Sequence, residues 1–113
     1  MAKKLNTNYY CGIENEGKVL RKYKRNGASD VKQMPGSKGS YDLEVSHPSR
    51  KKHFVQVKST CSTTGEPKCI TSKERQRLIR AANSQNGIAV VAYVGANGRS
   101  ELRYAKNDRL VVF

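Results

Sequence analysis

A chain of 113 residues with 22 Lys and Arg against 9 Asp and Glu carries a formal charge of +13 and has room for one domain. No apolar run approaches the roughly 18 residues of a membrane span, and MAKKLNTNYY at the amino terminus lacks the hydrophobic stretch of a secretory signal, so a cytoplasmic location is expected. A positive excess of this size repels basic partners and attracts polyanions, above all DNA or RNA.

Residues 1 to 8 are polar and basic and read as a flexible arm. From Gly12 to Arg25, Ile13, Val19, Leu20 and Tyr23 recur at helical intervals, and Asn26-Gly27 supplies the stop. Ala28 to Met34 alternates as a strand does, and Pro35 to Ser40, rich in glycine and serine, reads as a loop. Tyr41 to Ser46 and His53 to Ser59 read as a β-hairpin about a turn that contains Pro48. Ser62 to Lys68, with Gly65 and Pro67, is a second loop, after which Thr71 or Ser72 can cap a helix running to Asn83 with Leu78, Ile79 and Ala82 as its apolar stripe. Gln85-Asn86-Gly87 ends that helix. Ile88 to Val94 is a nearly continuous apolar run, as expected of a strand buried on both faces. Ala96-Asn97-Gly98 turns into a strand over Glu101 to Ala105, and Leu110 to Phe113 reads as a last short strand or an interface segment.

The order αβββαββ predicts an α/β fold in which a mixed sheet is flanked by helices, with no internal repeat. Leu, Ile, Val and Phe number only 22 of 113, but they cluster in DLEV, HFVQV, GIAVVAYV and RLVVF, which argues for folding around a small core. Dimer formation would add buried area. Cys11, Cys61 and Cys69 form neither a CxxC pair nor a set with histidine at metal-ligand spacing, so they read as reduced thiols, with a Cys61–Cys69 bridge the alternative.

Basic residues crowd both helices: Lys18, Arg21, Lys22, Lys24 and Arg25 on the first, Lys73, Arg75, Arg77 and Arg80 on the second. Any single lysine here can be merely solvated, but a solvated face would normally mix both signs, so the imbalance is harder to dismiss. Neither helix has a broad apolar face edged with aromatics, which argues against a membrane surface. Lys18, Arg21, Lys22, Lys38, Lys73 and Arg77 are the candidate DNA contacts. Tyr9 and Tyr10 read either as stacking platforms for bases or as cover for the core.

One constellation can carry chemistry. Gln56 and Lys58 lie two apart in a strand and share a face, Asp42 sits in the partner strand, and Glu16 lies on the first helix. Oxygen groups converging there suit a hard cation such as Mg²⁺, which polarises a phosphate and acidifies a bound water. Lys58 could orient or deprotonate that water, or stabilise charge building on phosphorus. Glu14 competes with Glu16, and Glu44, two residues beyond Asp42, offers either a further carboxylate or a partner for a lysine across the hairpin. His47 and His53 flank the hairpin turn and read as surface residues; Ser37 and Lys38 in the Gly-rich loop, and Gln76 on the second helix, read as phosphate contacts or as solvated residues.

The order Glu, GSKGSYD, QVKST, a basic helix and a GIAVVAYV strand resembles the PD-(D/E)xK nuclease superfamily, and within it the archaeal-type Holliday junction resolvases, over about residues 9 to 106. The matching features are Glu16 in Gly12–Glu16, the helix-ending Gly27, Gly36-Ser37 before Asp42, Gln56-Val57-Lys58 in place of E-V-K, and Gly87-Ile88 opening the next strand. The resemblance implies a restriction-endonuclease-like fold and a Mg²⁺- or Mn²⁺-dependent endonuclease. Such an enzyme acts as a homodimer whose two sites nick opposed strands of a four-way junction. Glu16, Asp42 and Gln56 would be its metal ligands, with Lys58 beside them; no small-molecule substrate is implied. Two positions depart from the pattern: Gln56 stands where an acid is usual, and Gly17 where a basic residue is expected. A general or mismatch-type nuclease of the same fold, and a nucleic-acid-binding protein without catalysis, are the other readings.

Overall fold

The sheet that organises the chain has five strands, β1 (Asp30–Gln33), β2 (Leu43–Ser46), β3 (His53–Ser59), β4 (Ile88–Val94) and β5 (Ser100–Tyr104), in the spatial order β1-β2-β3-β4-β5. The computed structural model describes residues 7–34, 41–48, 50–59, 70–95 and 100–112, with side chains other than those of residues 7–14 and 59. Neighbouring strands are antiparallel except β3 and β4, whose parallel pairing requires the crossover helix α2 (Ser72–Ser84) between them. Helix α1 (Thr7–Arg25) precedes the sheet, so the element order is the expected αβββαββ.

Period-two alternation sorts the core into two layers. Leu43, Val45, Val55, Val90, Ala92, Val94 and Leu102 face α1 and pack on its Val19 and Tyr23. Phe54, Ala89 and Val91 face α2 and pack on Leu78 and Ala82. Strand β4 therefore buries both faces, as its unbroken apolar run predicts. The two basic helices lie on opposite sides of the sheet.

Both helices end through the same hydrogen-bond pattern. In α1, Ala28 N–H donates to the Tyr23 carbonyl at 3.1 Å and Gly27, at φ +96°, makes the left-handed turn. In α2, Gly87 N–H donates to Ala82 at 2.8 Å while Asn86 takes the left-handed position at φ 57°. Gly87 is needed for space: a Cβ there would lie 2.2 Å from the Phe54 ring and 2.8 Å from the Lys52 carbonyl. At the start of α2, Thr71 and Glu74 form a reciprocal capping box.

Several boundaries move. Helix α1 starts at Thr7, not Gly12, so Thr7 and Asn8 of the expected arm are helical. Strand β1 is shorter than the Ala28–Met34 expectation, since Ala28 is spent in ending α1. Strands β2 and β5 begin at Leu43 and Ser100 instead of Tyr41 and Glu101. At the C-terminal end Leu110 makes a single bridge to Arg103, and Leu110 and Val112 are 56% and 71% exposed.

His53 is not a surface residue. It is 3% exposed, its Nδ1 lies 2.9 Å from the Tyr23 hydroxyl, and the His47 ring meets it edge-on at 4.7 Å. Burial, with the nearby His47 and Arg50 charges, depresses its pKa from 6.5 to about 4. Among the described residues no helix is long and apolar enough to cross a membrane.

Candidate active site

The site begins where β2 stops and β3 continues. The last paired residues are Leu43 and Val55, and beyond them the Val57 N–H has no opposing carbonyl in β2. Asp42 takes that place: its Oδ2 accepts the Val57 N–H at 2.8 Å, while its own N–H donates to the Val55 carbonyl at 2.7 Å. The carboxylate is thus fixed by backbone at the splayed strand ends. Burial raises its pKa, the Val57 hydrogen bond and the Lys58 charge pull it back, and the Glu74 charge pushes it up.

Gln56 and Lys58 project from the α2 face of β3, the face of Phe54, and both meet a residue that the sequence reading assigned no role. Glu74 Oε2 accepts from Lys58 Nζ at 2.5 Å and from Gln56 Nε2 at 3.1 Å. The Lys58 ammonium, foremost, lowers the Glu74 pKa to about 2. Thr71-x-x-Glu74 is legible as a helix cap, but nothing local signals that the first turn of α2 meets β3.

Glu16 arrives from the other side of the sheet, on α1. Gln33 Nε2 donates to its Oε1 at 3.4 Å, and Gln33 pairs with Leu43, the residue after Asp42. Burial raises the Glu16 pKa and the Asp42 charge raises it further. Glu16, Asp42, Gln56, Lys58 and Glu74 therefore line one end of the sheet.

Among the described residues no three His, Cys, Asp or Glu side chains form a metal-ligand set by themselves. A cation would rest on the carboxylates of Glu16 and Asp42 and the amide oxygen of Gln56. These are hard oxygen donors, and a divalent ion would relieve the burial and like-charge repulsion that raise the Glu16 pKa. Donors of this kind suit a divalent cation.

The solved structure of Hjc, a Holliday junction resolvase of the archaeal hyperthermophile Archaeoglobus fulgidus, superimposes with a TM-score of 0.66 over 84% of this chain and 73% of that one, at 15% identity. The chain has the resolvase fold. No family model and no curated protein matches the sequence.

On this resolvase fold the other expected residues fall out unequally. Glu44 is bound to Lys52 at 3.0 Å across the hairpin and does not restore a carboxylate to the site. Lys22 turns away from solvent to donate to the Ser100 carbonyl at 2.9 Å, tying α1 to β5, so its ammonium is already engaged. Arg21, Lys73, Gln76 and Arg77 are exposed and Lys18 is half-buried. Ser37, Lys38, Cys61 and Cys69 lie outside the described residues, as do the side chains of Tyr9, Tyr10, Cys11 and Glu14. A cavity of about 410 Å³, lined by Lys22, Leu102, Leu110 and Val111 among others, opens beside β5 and includes none of Glu16, Asp42, Gln56, Lys58 and Glu74.

Proposed function

We propose that the chain is a metal-dependent, structure-specific DNA endonuclease that resolves four-way junctions by paired phosphodiester hydrolysis as a homodimer. The observation that carries this reading is the meeting of Glu16, Asp42, Gln56 and Lys58 at one sheet end, in a fold shared with a junction resolvase. Glu16, Asp42 and Gln56 would hold a Mg²⁺ or Mn²⁺ ion, which would supply phosphate polarisation and a more acidic water. Asp42, locked by the Val57 N–H, keeps its other oxygen in a fixed place. Lys58 brings a positive charge to the same sheet end, where it stabilises the charge that builds on phosphorus. Arg21, Lys73 and Arg77, with Lys18, grip the flanking backbone, and a DNA substrate places the activity inside a cell. Paired nicking needs two sites, and exposed Leu110 and Val112 give a second chain an apolar contact.

The test is cleavage of a four-way junction against duplex of the same sequence, with Mg²⁺ and with chelator. Asp42→Asn and Lys58→Ala are expected to abolish cutting and leave junction affinity within about threefold, because binding is spread over many phosphate contacts. Equal cutting of both substrates makes the protein a general nuclease. Tight binding without cutting makes it a binding protein, the reading that Gln56 favours.

A further inference from the structure

Position 56 is where β3 lacks the expected acid, and Glu74 is what stands against it. The carboxylate of Glu74 is divided between two tasks. Its Oε1 accepts the Thr71 N–H at 3.0 Å and closes the helix cap. Its Oε2 is not needed for the cap and accepts from both Gln56 at 3.1 Å and Lys58 at 2.5 Å. The nitrogen of the Gln56 amide is thereby committed to α2, which sets the amide oxygen on the limb directed away from Glu74. The same contact anchors the Lys58 ammonium; the Lys58 side chain is 22% exposed against 30% for that of Glu74.

A glutamate at position 56 would place two carboxylates where a donor and an acceptor now meet at 3.1 Å. Two like charges that close cannot both stay ionised without a penalty, so an acid at 56 would work against the ionised acid at 74. An amide at 56 with an acid at 74 keeps the negative charge of the site and moves it from strand to helix.

We propose that Glu74 is a positioning residue of the candidate active site, supplying from α2 the negative charge that β3 lacks at position 56 and fixing the Gln56 amide and the Lys58 ammonium. The kinetic part of this rests on the nuclease reading; the pairing of positions 56 and 74 does not.

The experiment compares the natural chain with Gln56→Glu, Glu74→Gln and the double exchange, which restores one acid and one amide in swapped places. Each single change is expected to slow single-turnover junction cleavage about tenfold, and the double exchange to recover most of that loss, the non-additivity expected of groups in contact. Mg²⁺ calorimetry without DNA should show weakened binding in Glu74→Gln and recovery in the double exchange. Urea unfolding of the same four proteins should show the same recovery. Amide ¹⁵N–¹H spectra supply a readout that a mere cap would not move: the Gln56 side-chain signals shift in Glu74→Gln and stay in place in Thr71→Ala, which weakens the cap and keeps the charge. Additive losses in the cycle, or Gln56 signals that ignore Glu74→Gln, overturn the proposal. If the natural chain cuts neither junction nor duplex, the nuclease reading fails, while unfolding, calorimetry and spectra still decide the pairing.

Discussion

Acid should unfold this protein through one buried imidazole. His53 is held neutral by burial and by the nearby His47 and Arg50 charges, with a folded pKa of about 4 against 6.5 for an exposed ring. The folded state prefers the neutral ring, so below pH 6.5 the unfolded chain binds more protons than the folded one. Stability is therefore complete above about pH 6.5 and lost as the pH falls toward 4. A depression from 6.5 to about 4 corresponds to a loss of about 3 kcal/mol. For a small core that is a large share of the total. Urea unfolding followed by far-UV circular dichroism between pH 7.5 and 4 measures it. Subtraction of a His53→Gln curve removes the growing self-repulsion of a chain already at +13. Protonation of Glu16 and Asp42, whose folded pKa values are raised, adds stability on acidification, and the subtraction removes that as well. Parallel curves for the two proteins between pH 7 and 5 would refute the reasoning. Should His53→Gln fail to fold, titration of the His53 ring by NMR in the natural chain decides the matter, and a midpoint near 6.5 refutes it.

Gly27 and Gly87 should respond to alanine for different reasons. Gly27→Ala strains a φ of +96° in open space and should cost about 1 kcal/mol, whereas Gly87→Ala drives a Cβ into the Phe54 ring and the Lys52 carbonyl and should cost roughly 3 kcal/mol. Urea midpoints rank them, and a worse Gly27 variant would show that Phe54 moves aside freely. Salt titration of DNA binding separates gripping from structural lysines. Arg77→Ala should lower the slope of log K against log salt by about 0.9, and Lys22→Ala, whose ammonium serves the Ser100 carbonyl, should leave it unchanged. An equal drop for both would return Lys22 to the DNA surface.

The strands that carry the site were readable to the residue where the pattern had a physical cause. Ile88 to Val94 is an unbroken apolar run because both its faces are covered along its length, whereas His53 to Ser59 gives up that run at the half-buried Gln56 and Lys58, where its α2 face reaches the site. What the sequence hid depends on approach in space. His53 looks like a surface residue beside a turn until Tyr23, 30 positions away, is seen against it. Glu44 shares parity with Asp42, but Asp42 precedes the strand and binds the Val57 N–H, while Lys52 captures Glu44 across the hairpin. Glu74 has a sufficient local reason to exist as the third residue of a capping box, so its second oxygen drew no notice.

The placement of negative charge argues against a protein that only grips DNA. The chain has nine acidic residues against 22 basic ones, and Glu16 on α1, Asp42 just before β2 and Glu74 on α2 are brought to one sheet end. Burial raises the pKa values of Glu16 and Asp42, with the Asp42 charge adding at Glu16 and the Glu74 charge at Asp42, which means that their ionised forms are held at a free-energy cost. For phosphate binding alone that cost would bring no return, because carboxylates repel a phosphate backbone. Hydrolysis would give it one: a divalent cation held by Glu16 and Asp42 would offset the repulsion between their carboxylates and a phosphate. Gln56 then counts less against catalysis than its sequence suggests, since the charge missing from β3 lies 3.1 Å away on α2. The balance between cutting and mere binding turns on whether that carboxylate acts for position 56.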